Sequence, residues 1–302
     1  MTSQPELISI HSTEGMEVKL WTLGARIQSF SVPYLDSRLE IAETSEDFNQ
    51  YTDYNIYSGA IIGAYANRIA NAQFKLKGAV YNLDKNQEEN TLHGGKSGLH
   101  SRVWKLIEHN QHSAILQTEI KDLEDGFPGN RTFHIKYEFS DDELQLTFKA
   151  TTDKTTHINM TNHAYFNLDT QKHLGNHLFM ISSKGALELN SNKIPTGNII
   201  PPVGDFNFFQ FKSLDQNKFD HNFILSNPNL NHISAAVYCT TTDLTLEVST
   251  DQPGLQFYTG HGHYFAMETQ HFPDTPNQPK FPSTIINAGE TYLQRCGYRI
   301  VS

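Results

Sequence analysis

Polar and apolar residues alternate along most of the chain, and this two-residue period restricts the fold more than any other feature of the sequence. Successive side chains of a β-strand point to opposite faces, so such a period is typical of strands with one buried face. No long segment has the period of an amphipathic helix. The alternation predicts strands at 17–23, 25–32, 72–77, 79–84, 113–120, 132–139, 143–152, 178–182, 187–190, 244–250, 255–259, 264–268 and 291–300.

The connections between these strands favour a sandwich. Most are rich in Gly, Asn and Asp, and Asp141-Asp142 marks a turn between two long strands. The pattern predicts an all-β protein, a large β-sandwich with few short helices, of which 47–51 is one candidate. Two irregular stretches, 86–101 and 194–214, indicate functional loops. No linker, charge block or repeat divides the chain, so we expect a single domain over residues 1–302.

Charge and composition exclude several classes of function. The formal net charge is −10, from 23 basic and 33 acidic residues, with no run of Lys and Arg. Such a chain repels a phosphate backbone, so we expect no nucleic-acid partner. Neither a signal peptide nor an apolar run of the ~20 residues that cross a bilayer is found, so we expect no membrane association and a cytoplasmic protein. Two cysteines are too few for a disulfide scaffold and lack metal-site spacing.

Five stretches carry more chemistry than an ordinary strand or turn needs, and two of them contain candidate proton-transfer groups. In 162–168, His163 follows an alternating run, which predicts a position at a strand end. Histidine gives or takes a proton near neutral pH, as general acid–base catalysis requires. In 253–274, Glu268 follows an apolar aromatic strand, where partial desolvation would raise its proton affinity. From the residues alone, a purely structural role for His163 stays open.

The other three stretches contain side chains suited to sugar hydroxyls. Asn67 and Arg68 lie among small residues in 63–71 and offer forked hydrogen-bond donors. His93 precedes a Gly-Gly turn, and Asp220 lies just after a phenylalanine and can accept from two hydroxyls. On each stretch alone, a solvated arginine or a turn-forming aspartate is an ordinary alternative.

A competing metal site is contained in the last stretch. His261, His263 and Glu268 have the H-x-H-x4-E spacing of a cupin site, and imidazoles two residues apart on a strand share a face. The flanking glycines are misplaced for a cupin, however, and no second histidine motif accompanies them. We therefore expect no metal there.

Taken together and in order, the five stretches resemble the galactose mutarotase (aldose 1-epimerase) family. The resemblance covers nearly the whole chain and rests on residues 65–69, 92–95, 162–168, 220–223, 253–260, 268–274, 277–279 and 289–290. It implies the family's large β-sandwich and an isomerase that interconverts the α and β anomers of free hexoses of the galactose and glucose type. It also implies a monosaccharide substrate and neither cofactor nor metal.

The resemblance further implies a role for each candidate residue. His163 matches the general acid that protonates the ring oxygen. Glu268, which precedes Thr-Gln as the family's base does, matches the base that takes the proton from the C1 hydroxyl; Glu290 is then structural. The positions that hold sugar hydroxyls or orient the catalytic pair are matched by Asn67, Arg68, His93, Asp220 and Gln256.

Three departures from the family pattern concern specificity. Ala64 stands where the family often has arginine, Ala164 stands where Ser or Thr is usual, and the short segment 260–268 carries two extra histidines. If that segment lines the cleft mouth, it gives the protein a means to prefer a sugar other than galactose. Two alternatives stay open: a non-catalytic sugar-binding protein on the same fold, and a hexose 6-phosphate epimerase with Arg68 and Arg102 as phosphate ligands.

Overall fold

The computed structural model describes residues 4–45, 47–51, 53, 56–215 and 217–302. The helices of this part of the chain are single 3-10 turns at Phe48–Tyr51, Ala70–Ala72, Leu99–Ser101, Leu174–Asn176, Gly204–Phe206 and Thr275–Asn277. None of them is long or apolar enough to cross a membrane. The strands are β1 (Leu7–His11), β2 (Glu17–Trp21), β3 (Arg26–Tyr34), β4 (Ser37–Glu40), β5 (Ile61–Ile62), β6 (Arg68–Ile69), β7 (Gln73–Leu76), β8 (Ala79–Asn82), β9 (Thr91–Leu92), β10 (Lys105–His109), β11 (Ser113–Ile120), β12 (Arg131–Ser140), β13 (Glu143–Thr152), β14 (Thr156–His157), β15 (Thr161–Asn162), β16 (Tyr165–Phe166), β17 (His177–Ile181), β18 (Ser183–Leu189), β19 (Pro195–Ile200), β20 (Asp220–Leu225), β21 (Ile233–Cys239), β22 (Thr245–Thr250), β23 (Gly254–His261), β24 (Tyr264–Gln270), β25 (Ile285–Ile286) and β26 (Thr291–Val301).

The larger sheet has eight antiparallel strands in the order β10-β11-β12-β13-β26-β22-β21-β17. In β12, buried and half-buried residues alternate over nearly the whole strand, as the sequence predicts. The hairpin from β12 to β13 turns at Asp141, whose φ of +54° lies in the left-handed region that aspartate tolerates. The predicted turn at Asp141-Asp142 is therefore confirmed.

A second, six-stranded sheet has the order β16-β24-β23-β20-β18-β19 and packs against the first. The ring centroids of Phe179 in β17 and Phe257 in β23 are 5.2 Å apart, and those of Phe166 in β16 and Tyr298 in β26 are 5.1 Å apart. All four rings are buried in one continuous core, and burying each such side chain contributes about 1.5–3 kcal/mol. The predicted β-sandwich is confirmed.

The prediction of an irregular stretch at 194–214 is wrong at its beginning. Pro195 and Gly197 favour a turn in the sequence, yet both lie in β19, which pairs with β18 at the edge of the six-stranded sheet. An edge strand tolerates proline because one side of its backbone has no neighbouring strand to bond. The prediction fails here because sequence alone does not tell an edge strand from a loop.

Candidate active site

One face of the six-stranded sheet carries three of the predicted polar residues. Gln256 in β23 lies opposite Glu268 in β24 and, on its other side, opposite Asn222 in β20. Asp220 is two residues from Asn222 and therefore points to the same face. Gln256 Nε2 donates a 2.8 Å hydrogen bond to Asp220 Oδ1. The two-residue period of the strands thus brings Asp220, Gln256 and Glu268 together on one face. The first and the last of them are 48 positions apart in the chain.

A short strand pair supplies the opposite wall. Arg68 in β6 lies opposite Leu92 in β9, which places Asn67 beside His93. The backbone N–H of Asn67 donates to His93 Nδ1 at 3.2 Å. Because Nδ1 accepts this bond, the neutral ring carries its proton on Nε2 and can act there as a donor.

Gly94 allows the two backbones of this wall to approach each other. Its φ is +84°, and a Cβ at this position would lie 2.2 Å from the carbonyl oxygen of Gly63. Only glycine avoids both the left-handed strain and the collision. The small residues of the two stretches therefore serve close backbone packing, which in turn fixes the neighbouring His93.

His163 lies directly after β15, at the predicted strand end. β15 pairs with β5, and the N–H of His163 donates to the carbonyl of Ala60 at 2.9 Å. The side chain of the preceding Asn162 donates 2.8 Å to the carbonyl of Gly59. The imidazole is in edge contact with His93 and tilted against Tyr165, at centroid distances of 5.2 and 4.9 Å. Backbone and ring are thus both held in one orientation.

These walls enclose a cavity of about 200 Å³. Six of the seven predicted residues line it, and Gln256 lies behind Asp220. Within the cavity, His163 Nε2 lies 3.6 Å from Glu268 Oε1. A larger cavity of about 650 Å³, beside Asp142 and Arg299, contains none of the seven. The lining of the smaller cavity is Tyr57, Asn67, Arg68, Gln87, Leu92, His93, His163, Tyr165, Lys193, Asp220, Tyr258 and Glu268.

Asp220 is the centre of a charged group at one end of the cavity. Lys193 Nζ donates 2.6 Å to Asp220 Oδ2, and Arg68 Nη2 lies 4.0 Å from the same oxygen. Arg68 Nε donates 2.7 Å to Gln87 Oε1. Burial alone would raise the pKa of Asp220, but the bond from Lys193 and the charge of Arg68 outweigh it and lower that pKa. The carboxylate is therefore ionised at neutral pH.

Comparison with known proteins assigns the family. The family model described as aldose 1-epimerase matches residues 6–299. The chain belongs to the aldose 1-epimerase family. It is accordingly an isomerase.

Two curated relatives align with the chain over most of their length. The chain is 31% identical to the aldose 1-epimerase of Escherichia coli K12, an alignment that covers 98% of the chain and 95% of that relative. It is 35% identical to the galactose mutarotase of Homo sapiens, over 80% of the chain and 78% of that relative.

A solved structure shares the fold of this aldose 1-epimerase family member. The aldose epimerase homologue from C. elegans superposes with a TM-score of 0.93 at 22% identity and covers 99% of both chains. The galactose 1-epimerase of Lactobacillus acidophilus gives a TM-score of 0.86 at 22% identity, over 99% of the chain and 95% of that structure. At this identity the likeness supports the sandwich fold alone.

Burial sets the protonation of the two groups that lie 3.6 Å apart. Removal from water raises the pKa of Glu268 well above its usual value, and the nearby charge of Asp220 adds to the shift. Burial lowers the pKa of His163 to about 4 and holds that of His93 well below its usual range. At neutral pH both imidazoles are therefore neutral, and Glu268 binds a proton more tightly than His163 does.

The ligand-bearing atoms of His93, His163 and Glu268 lie within 4.8 Å of one another, the one such group of three found among the described residues. Two imidazoles and a carboxylate could bind a divalent metal. The cupin-like set suggested by the spacing is not found among the described residues, where His261 Nε2 lies 2.7 Å from Glu43 Oε1 and does not belong to this group.

Several residues singled out in the sequence lie elsewhere. The carboxylate of Glu290 accepts the N–H of Asn287 within its own turn, and Arg102 pairs with Glu124 at 2.6 Å. Ala64 and Ala164 are buried and neither lines the cavity.

Sequence reasoning misses several lining residues. Tyr165 and Tyr258 lie inside the recognised stretches, but the sequence assigns them no role. Lys193 lies at a turn with a φ of +58° and carries no signal in its local sequence. Gln87 lies inside the irregular stretch 86–101 but is not singled out within it, and no pattern around Tyr57 identifies that residue.

Proposed function

We propose that His163 and Glu268 are the acid–base pair with which this aldose 1-epimerase interconverts the α and β anomers of free hexoses. The observation that carries the proposal is the 3.6 Å separation of His163 Nε2 and Glu268 Oε1, whose side chains are both buried in the wall of the cavity. The ring oxygen O5 and the hydroxyl oxygen O1 are bonded to the same carbon. Two groups this close together can therefore each reach one of these oxygens.

The reaction consists of two proton transfers. The acid protonates O5 while the base takes the proton of O1; the O1–H electrons form the C1=O1 double bond, and the C1–O5 bond breaks. The open aldehyde rotates about C1–C2, and the same transfers in reverse close the ring on its other face. Each group acts as acid in one direction and as base in the other, and each contributes about 10²- to 10⁴-fold.

The pair shares one exchangeable proton. Ring opening begins with it on His163, and ring closure begins with it on Glu268. The raised pKa of Glu268 and the pKa of about 4 for His163 make Glu268 the stronger proton acceptor of the two in the free protein, and a proton on Glu268 is the arrangement that closes the ring. We expect sugar hydroxyls that donate to the Glu268 carboxylate to favour its ionised form, so that His163 becomes the acid.

The remaining residues hold the pyranose. Arg68 and Asp220 offer a forked donor and an acceptor to neighbouring hydroxyls, and Asn67 and the Nε2–H of His93 supply further donors. Gln256 orients Asp220 through their 2.8 Å hydrogen bond. Fixing several hydroxyls at once brings O1 and O5 within reach of the pair, which lowers the entropic part of the barrier.

The proposed substrates are free hexoses of the galactose and glucose type, with no metal or other cofactor. The test is polarimetry on freshly dissolved α-D-galactose and α-D-glucose, with and without EDTA. We expect fast mutarotation that EDTA leaves unchanged. Absence of acceleration for both sugars would reject the proposal, and loss of activity in EDTA would assign His93, His163 and Glu268 to a metal instead.

One observation supports a second candidate, the epimerisation of a hexose 6-phosphate. Lys193 and Arg68 are two cations at one end of the cavity, and a phosphate suits such a pair. Both lie close to Asp220, however, at 2.6 and 4.0 Å, so their charge is partly offset. Parallel assays with glucose 6-phosphate decide between the two: this candidate requires a kcat/KM higher than that of glucose.

A further inference from the structure

Ring contacts rather than hydrogen bonds hold the imidazole of His163. Its buried Nδ1 atom bonds to no group of the described residues, whereas catalytic histidines are commonly oriented by a hydrogen bond at the ring nitrogen that does not react. The rings of Tyr165, His93 and Tyr57 lie against it instead, with centroids 4.9, 5.2 and 6.0 Å away. His93 is fixed by the N–H of Asn67, so the orientation of His163 depends also on what fixes Tyr165.

Glu43 holds Tyr165 at two points. Its backbone N–H donates 2.8 Å to the carbonyl of Tyr165. Its carboxylate oxygen Oε1 lies 2.7 Å from Nε2 of His261, whose imidazole stacks on the Tyr165 ring with centroids 4.3 Å apart and 24° between the planes. The backbone and the ring of Tyr165 are therefore both tied to one residue.

The same carboxylate is linked to the backbone of His163. Ser58 Oγ donates 2.6 Å to Glu43 Oε2, and the N–H of the next residue, Gly59, donates 2.9 Å to the carbonyl of His163. The hydrogen bond to Glu43 raises the pKa of His261, so the Glu43–His261 pair stays ionic, and its contact strong, to a higher pH than an isolated imidazole allows. One oxygen of Glu43 thus acts on the backbone of His163, and the other acts on its ring through His261 and Tyr165.

The position of His261 follows from the short segment noted in the sequence. β23 ends at His261, β24 begins at Tyr264, and the two residues pair across the turn. The first extra histidine thereby lies against Tyr165, whereas His263 is exposed. Neither Glu43 nor His261 lines the catalytic cavity.

We propose that Glu43 and His261 are positioning residues for mutarotation, which hold the Tyr165 ring against His163 and so keep that imidazole within reach of the ring oxygen of the sugar. This inference rests on the proposed function, because it takes His163 to be the group that protonates this oxygen. A misplacement of about 1 Å can cost about 10²-fold in rate. His93 still supports the imidazole when Tyr165 is released, so the loss is smaller here, about tenfold.

The test measures kcat and KM for α-D-galactose and α-D-glucose in Glu43→Ala, His261→Ala and the double variant. The matched control is His263→Ala, on the same turn as His261, and it should keep the wild-type values. We expect each single variant to lose about tenfold in kcat, while KM changes less than about twofold because Arg68 and Asp220 still hold the sugar. The double variant should lose no more than the single variants, since both residues act through one contact.

A fourth variant, Glu43→Gln, separates the position of the rings from the charge of the pair. Glutamine has no charge, but its oxygen accepts from a neutral His261 and its amide group donates to Ser58. We expect Glu43→Gln to retain at least about half of the wild-type kcat, in contrast to Glu43→Ala. A loss as large as that of Glu43→Ala would show that the charges of Glu43 and His261, rather than the position of Tyr165, act on His163.

Three further results would overturn the inference and leave the proposed function intact. They are an unchanged kcat in either alanine variant, a rise in KM with kcat unchanged, and losses in the double variant that multiply those of the single ones. The side chains of Glu43 and His261 are 27% and 44% exposed, so their removal leaves no closed cavity, and circular dichroism verifies the fold of each variant. Failure of the proposed function is a separate result, because the wild-type protein would then turn over no free hexose or His163→Gln would keep the wild-type rate.

Discussion

Glu268 is an ionisable side chain that the fold places where ionisation is costly. It is 2% exposed, and its Oε2 atom has no hydrogen-bond partner among the described residues. Such a position lowers the stability of the folded state whenever the carboxyl is charged. The same position gives the proton affinity that an acid–base group needs, which is the usual conflict between stability and activity at functional sites.

A stability measurement can test this conflict. The pKa of Glu268 is raised in the folded protein, so its favourable contribution is present at low pH and is lost as pH rises from about 4.5 towards the folded pKa. We expect Glu268→Gln to be more stable than wild type at pH 7, with a gap that closes near pH 4. Urea unfolding of both proteins at pH 7 and pH 4 measures this gap in unfolding free energy. A Glu268→Gln variant less stable than wild type at pH 7 would contradict the inference that the buried carboxyl destabilises the folded state.

Residues with a local signal are predictable from the sequence, and residues without one are not. His163 and Glu268 stand in distinctive stretches, so the motif and the chemistry of the side chain both indicate them. Lys193 lies at the end of an ordinary turn, and nothing in its neighbours indicates that its ammonium lies 2.6 Å from Asp220. Contacts between distant turns depend on the packing of whole sheets, which a local pattern does not contain.

At the scale of elements, hairpins and short strand pairs position the chemistry. The alternation predicts the long strands β12 and β13 and the turn between them. It does not identify β19, because a strand at a sheet edge can contain proline and glycine and then resembles a loop. The two-residue strands β6 and β9 are too short for any period, although they place Arg68 and His93.

The contact between these short strands gives a prediction with a matched control. Gly94 and Gly78 have nearly the same φ, +84° and +83°, but a Cβ at Gly78 would meet nothing within 4 Å. Gly78→Ala should therefore cost about 1–2 kcal/mol of unfolding free energy, from left-handed strain alone. Gly94→Ala adds the collision with Gly63 and should cost clearly more.

The two glycine substitutions should also differ in their effect on activity. Gly94→Ala should reduce hexose mutarotation, since His93 moves with its neighbour, whereas Gly78→Ala should leave the rate unchanged. Chemical unfolding and polarimetry measure the two effects. Equal losses of stability in both variants would show that the backbones are not in tight contact at Gly94.

At the scale of the whole molecule, buried histidines make the fold sensitive to acid. Burial holds the pKa of His157, His163 and His177 at about 4 and that of His93 well below its usual value. The rings of His93 and His177 also accept backbone N–H bonds, from Asn67 and Leu168, which protonation would break.

These four groups bind fewer protons when folded than when unfolded, so stability is lost as pH falls from about 6.5 towards 4. We expect a loss of about 1 kcal/mol for each histidine between pH 7.5 and pH 5.5, several kcal/mol in total, with Glu268 acting in the opposite sense. Urea unfolding at the two pH values measures it. Equal stability at both pH values would contradict the burial of these rings.

The single domain over residues 1–302 stays a prediction. Coincident fluorescence and circular dichroism transitions in the same unfolding experiment would support it.

The most direct test of the acid–base pair is the mutarotation rate of α-D-galactose and α-D-glucose in Glu268→Gln and His163→Gln. Glu290→Gln is the control, because it removes a carboxylate from an exposed turn. We predict that each catalytic variant, with its fold verified by circular dichroism, loses about 10²- to 10⁴-fold in kcat/KM while the control keeps the wild-type rate. A Glu268→Gln protein that retains more than about a tenth of the wild-type rate would contradict the assignment of Glu268 as the base.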